Sequence, residues 1–184
     1  MILFLVAVAI VALYAVFIFN RLVSLRQFTK QAFSDIDVQL KARADLVPNL
    51  VNTVKGYAAH ESGTLEAVMN ARAATQSASG AAAVSAADGM MTAALGRLIA
   101  VAEAYPDLKA NENFAQLQSE LSDIENKIAA ARRFLNSSVA EYNAAIEQFP
   151  AVLVAARLGF SSASMFEVAP EQRAAVETVP TVSF

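Results

Sequence analysis

The chain has 184 residues, of which 56% are apolar and 17% charged, with a formal net charge of -3 and no cysteine. A slightly acidic balance argues against a nucleic-acid partner, and the absence of cysteine agrees with a reducing compartment. Alanine dominates, glycine and proline are few, and no alternating β-branched run is long enough for a strand, so the expected class is all-α.

Residues 2–19 contain no charged side chain, and Tyr14 is their only partly polar one before Asn20 and Arg21 end the run. As a helix they would rise about 27 Å, close to the hydrocarbon thickness of a bilayer. A cleaved signal would carry Lys or Arg before its apolar core and small residues at a cleavage site after it; a core helix would keep polar positions. Neither pattern is present, so residues 1–20 read as a retained single-pass anchor. Arg21, Arg26 and Lys30 follow the span directly, and the positive-inside rule puts the remainder in the cytoplasm. The expected location is a bacterial inner membrane, or an internal membrane derived from it.

No turn signal separates Phe19 from Leu22. The apolar spacing continues through Leu22, Leu25, Ala32, Ile36, Leu40, Val47, Leu50, Val54 and Tyr57, which predicts one helix running out of the anchor, kinked near Ala44 by Pro48. A further segment starts near Gly63 and Thr64. Residues 77–89 are rich in Ser, Gly and Ala; they fit either a close helix contact or a break between two helices. Spacing returns at Leu95, Leu98, Ile99 and Val101 and stops at Pro106.

From Asn113 to Phe149 the three-four period is clearest, visiting Phe114, Leu117, Leu121, Ile124, Ile128, Ala131, Leu135, Ser138, Tyr142, Ala145 and Phe149. Asn113 and Gln116 suggest a capping box, and Pro150 limits the helix. A short fourth helix is expected at 151–158, closed by Gly159 as a C-terminal cap. These elements predict an N-terminal transmembrane helix followed by an antiparallel bundle of three long helices and a short fourth, occupying residues 21–160. Residues 161–184 read as an extended arm.

Two stretches carry a resemblance. Residues 35–61, DIDVQLKARADLVPNLVNTVKGYAAHE, and residues 102–150, with AEAYPDLKANENF, ENKIAAARRF and EYNAAIEQFP, resemble the LemA family, as do the Gly159-Phe160 and Phe166 landmarks. Phe33, Leu135 and Ala42 depart from the family's usual Trp, aromatic and basic residues. The resemblance implies a helical bundle on one membrane helix and no established reaction. One LemA-like branch is associated with magnetosome membranes, where it supports formation of the organelle.

The search for chemistry gives no catalytic, cofactor-binding or metal residues. His60 is the only histidine, and His60-Glu61 lacks the second histidine of a zinc-protease helix. A di-iron bundle fails for the same reason. Glycines are scattered rather than gathered in a phosphate loop, and no nucleophile elbow surrounds a serine. Asp35 and Asp37 point in different directions on a helix and cannot share a proton; Glu120, Asp123 and Glu125 read as solvated charges.

The best candidate site is the polar cluster Asp35, Asp37, Gln39, Lys41, Arg43 and Asp45. Asp35, Gln39 and Arg43 are spaced by four and form one stripe, with Glu125, Arg132 or Arg133 as prospective partners on the last long helix. Ion pairs that fix helix register are preferred there to a ligand site. The expected partners are therefore the lipid bilayer and either further copies of the chain or another membrane protein, with no nucleic acid and no small-molecule substrate. A non-enzymatic membrane-anchored scaffold that self-assembles and organises or shapes membrane is the favoured function. The alternative is an adaptor of a membrane signalling or proteolytic system, docking through its C-terminal tail.

Overall fold

In a computed structural model of the chain, residues 1–166 are described, and they contain helices but no strand. Five α-helices follow one another: α1 (Ile2–Lys55), α2 (Ser62–Ser77), α3 (Ala81–Glu103), α4 (Pro106–Lys109) and α5 (Glu112–Glu147), with short 3-10 turns at Ala151–Leu153 and Ala156–Leu158. The all-α expectation is met. Two compact units arise from them, and α1 and α5 each supply residues to both.

The first unit comprises Met1–Asp35 and Ala131–Met165. Its core gathers Leu22, Tyr142, Ala145, Ile146, Ala151, Ala155 and Phe160, with Ile18, Val23 and Leu25 packed against them. Residues 2–17 lie outside that core and are exposed on every face. The helix nevertheless runs through Asn20 and Arg21 without interruption, as the missing turn signal predicts.

Within α5 the burial stripe follows Leu135, Val139, Tyr142 and Ile146. A helix of 3.6 residues per turn drifts away from a strict heptad, so the stripe passes to Val139 beside Ser138 and leaves Phe149 exposed. The expected short helix at 151–158 is instead two 3-10 turns. Gly159 closes the second at a φ of 76°, the left-handed cap its position suggested.

Beyond it, residues 161–166 are neither helix nor strand, but they are tied down. The Tyr142 hydroxyl donates to the Ser161 carbonyl at 2.9 Å, and the Asn143 amide both donates to the Ala163 carbonyl (2.9 Å) and accepts its N–H (2.8 Å). The rest of the expected C-terminal arm lies outside the described residues.

The second unit comprises Ile36–Ala130 and, among the described residues, Phe166. Val47, Leu50 and Val54 of α1, Leu65 and Val68 of α2, Met91, Leu95 and Leu98 of α3, Leu108 of α4, and Phe114 and Leu121 of α5 form one apolar core. Pro48 sits within α1, and the helix continues past it to Lys55. Tyr57, placed on the apolar seam by spacing, is outside the helix and exposed, where its hydroxyl accepts from the Asn111 amide at 2.9 Å.

Residues 77–89 contain a break, not a continuous contact surface. Ala78, Ser79 and Gly80 reverse the chain so that α3 packs against α2. Gly80 has a φ of 81°, a conformation that side chains disfavour, which explains why glycine stands there. At the start of α5 the cap is Asn111, whose Oδ1 accepts the Phe114 N–H at 3.0 Å, and not Asn113.

Candidate functional site: a buried arginine triad

Leu40, Ala44 and Val47 form the buried face of α1, and Arg43 shares it, its side chain only 1% exposed. A cation at such a position is costly unless it is paired, and α3 and α5 supply the pairs. Arg43 Nη2 donates to Asp88 Oδ1 in a very close contact and to the Asp88 carbonyl at 3.4 Å. Its Nη1 donates to Glu125 Oε2 at 2.8 Å and to the Thr92 hydroxyl at 3.2 Å.

Asp88 and Thr92 are four apart on α3, so they present one stacked pair of acceptors to the guanidinium fork. Glu125 comes from α5 with its side chain 44% exposed, whereas the Asp88 side chain is 1% exposed. Burial pulls the Arg43 pKa below its ordinary value, and the charge and hydrogen bond of Glu125 push it back up. The guanidinium stays cationic.

Of the stripe drawn from sequence, then, only Arg43 turns inward. Asp35 is exposed and Gln39 half-buried. Glu125 is the partner that spacing suggested. Asp88 was not foreseen, because a single acidic residue in an Ala- and Gly-rich stretch carries no periodic signal that distinguishes it from a solvated one.

Asp37, Lys41 and Asp45 lie on the outer side of α1 and line a notch of about 290 Å³ with Thr75 and Gln76 of α2. A second groove, about 380 Å³, runs between α3 and α5, with Thr92, Leu95 and Ile99 on one wall and Leu121 and Ser122 on the other; Glu125 stands at its edge. His60 is exposed in the turn after α1. Among the described residues, no three His, Cys, Asp or Glu side chains converge as a metal site.

The triad can thus hold three helices in register and neutralise charge between them.

A family model for LemA proteins matches residues 32–184, from the buried Ala32 onward and including all three triad positions. The chain belongs to the LemA family. This LemA-family chain is also similar to magnetosome proteins. It is 37% identical to magnetosome protein MamQ of Magnetospirillum gryphiswaldense over 84 residues, which is 46% of this chain and 31% of that one. It is 26% identical to MamQ 1 and to MamQ 2 of Paramagnetospirillum magneticum, across 83% of this chain and 65% of each relative. The chain therefore spans less than two thirds of the length of these relatives. The family resemblance seen in residues 35–61 and 102–150 is confirmed, and the magnetosome proteins are among its relatives.

Proposed function

We propose that this LemA-family protein is a non-enzymatic, membrane-anchored helical scaffold whose copies assemble and organise or shape the membrane that holds them. One observation carries the reading: α1 passes from a fully exposed apolar segment into the core of the first unit with no break in the helix. Leaving residues 2–17 in water would expose a continuous apolar surface far larger than soluble proteins tolerate, whereas a bilayer covers it. Arg21, Arg26 and Lys30 on the far side favour a cytoplasmic C-terminal domain. The magnetosome names of the relatives support an internal bacterial membrane as the site of action.

Crosslinking of the full-length protein in intact membranes tests the assembly. Adducts larger than one chain, retained when residues 167–184 are deleted, support the scaffold. A protein that remains monomeric, or that loses a distinct crosslinked partner on that deletion, favours instead the adaptor that docks through its tail.

A further inference from the structure

The two 3-10 turns after α5 have the wrong polarity for a segment in water. Ala151 and Ala155 face the core of the first unit, while Phe149, Val152, Leu153, Val154 and Leu158 are exposed, Phe149 by 80% and Leu153 by 63%. Five large apolar side chains within ten residues form a patch of a kind that soluble surfaces avoid.

Its position explains it. Phe160, two residues past Leu158, meets the Phe19 ring edge-on at 5.7 Å, and Phe19 is the last residue of the apolar run. The Arg26 guanidinium lies 4.9 Å from the centre of the same Phe160 ring, on the opposite side of the polarity boundary. Ile18 and Leu25 pack against the cluster that holds Ala151 and Ala155. The turns are thereby fastened beside residues 18–26 of α1, where a helix leaves hydrocarbon for headgroups.

We propose that residues 149–158 form an apolar collar that enters the bilayer interface beside the anchor, giving the protein a second membrane contact. The proposal rests on the membrane-anchored reading above. Interfacial segments bury apolar side chains about 5–10 Å into the boundary between headgroups and acyl chains. Arg21 and Arg157 are both exposed and supply cations at headgroup level, so the surface matched is an anionic one. The collar also pins the base of α1, because the Phe19–Phe160 contact cannot persist if the turns lift away from the membrane while the anchor stays in it.

The absence of cysteine makes single-site labelling clean. Full-length Leu153→Cys, Ile10→Cys and Glu141→Cys, each carrying a polarity-sensitive fluorophore, are placed in vesicles of phosphatidylcholine and phosphatidylglycerol in which brominated lipids quench by depth. All three positions are exposed, so none of the substitutions opens a core. The collar predicts a blue-shifted label at 153 quenched most by bromine near the headgroup, a label at 10 quenched most by bromine deep in the chains, and an unquenched label at 141. Quenching at 10 but not at 153 overturns the collar and leaves the anchor standing. No quenching at 10 overturns both. A blue-shifted label at 153 that bromolipid does not reach means that protein, such as a second copy, covers the patch, and quenching at 141 equal to that at 153 means immersion of the unit as a whole; either result also overturns the collar.

Discussion

Replacing Arg43 by Met keeps most of the side-chain volume and leaves Asp88 in the core without its guanidinium. Breaking a buried ion pair from one side costs about 3–5 kcal/mol. The Glu125 arm adds little to that figure, because Glu125 is nearly half exposed and can turn to water. The cost therefore falls mainly on the buried Asp88, which loses its contact with the guanidinium.

At about 2–4 °C per kcal/mol for a chain of this length, the melting temperature should fall by about 6–20 °C. Thermal unfolding of the detergent-solubilised protein, followed by circular dichroism at 222 nm, reads the change. One control isolates the cause. The double variant Arg43→Met with Asp88→Leu should recover most of the loss, because an apolar core at that position needs no partner. A melting temperature unchanged in Arg43→Met, combined with loss of function, would refute the structural role and make the triad a recognition site.

Smaller perturbations test the local architecture. Gly80→Ala, forced to a φ of 81°, should destabilise by about 1 kcal/mol, whereas Gly96→Ala, within α3 and with open space around the added methyl, should stabilise by about 0.5–1 kcal/mol; chemical denaturation of each reads the opposite signs. Asn111→Ala removes the cap of α5 and should cost about 1 kcal/mol, while Asn113→Ala should leave stability within about 0.5 kcal/mol, which separates the observed cap from the one that spacing suggested. Asn143→Ala deletes both bonds to Ala163 and should raise hydrogen exchange at residues 161–166 with little change in the midpoint of global unfolding.

Much of this fold could be read from residue spacing. Residues 2–19 announce an unbroken apolar helix, Leu22 to Val54 mark its buried continuation, and Phe114 to Tyr142 mark the face of α5, because a 3.6-residue period survives even when alanine dilutes it. What spacing could not settle was local chemistry. Asn113 and Gln116 carry the right interval for a cap, but so do Asn111 and Phe114, and only the path of the chain entering the helix chooses between them. The run from 151 to 158 is too short for periodicity to separate an α-helix from two tighter turns.

The triad shows the same division. Arg43 could be suspected, since it interrupts an apolar face. Its principal partner could not, because Asp88 is brought to it by the reversal at Gly80, a contact between distant parts of the chain that no local pattern encodes.

Extraction of the full-length protein with its surrounding lipid, by a polymer that cuts membrane discs without detergent, followed by mass measurement of single particles, tests the scaffold most directly. The account predicts that the protein is found in lipid particles, several copies to each. Intact chain in the lipid-free fraction, or one copy per particle at every expression level, would contradict it.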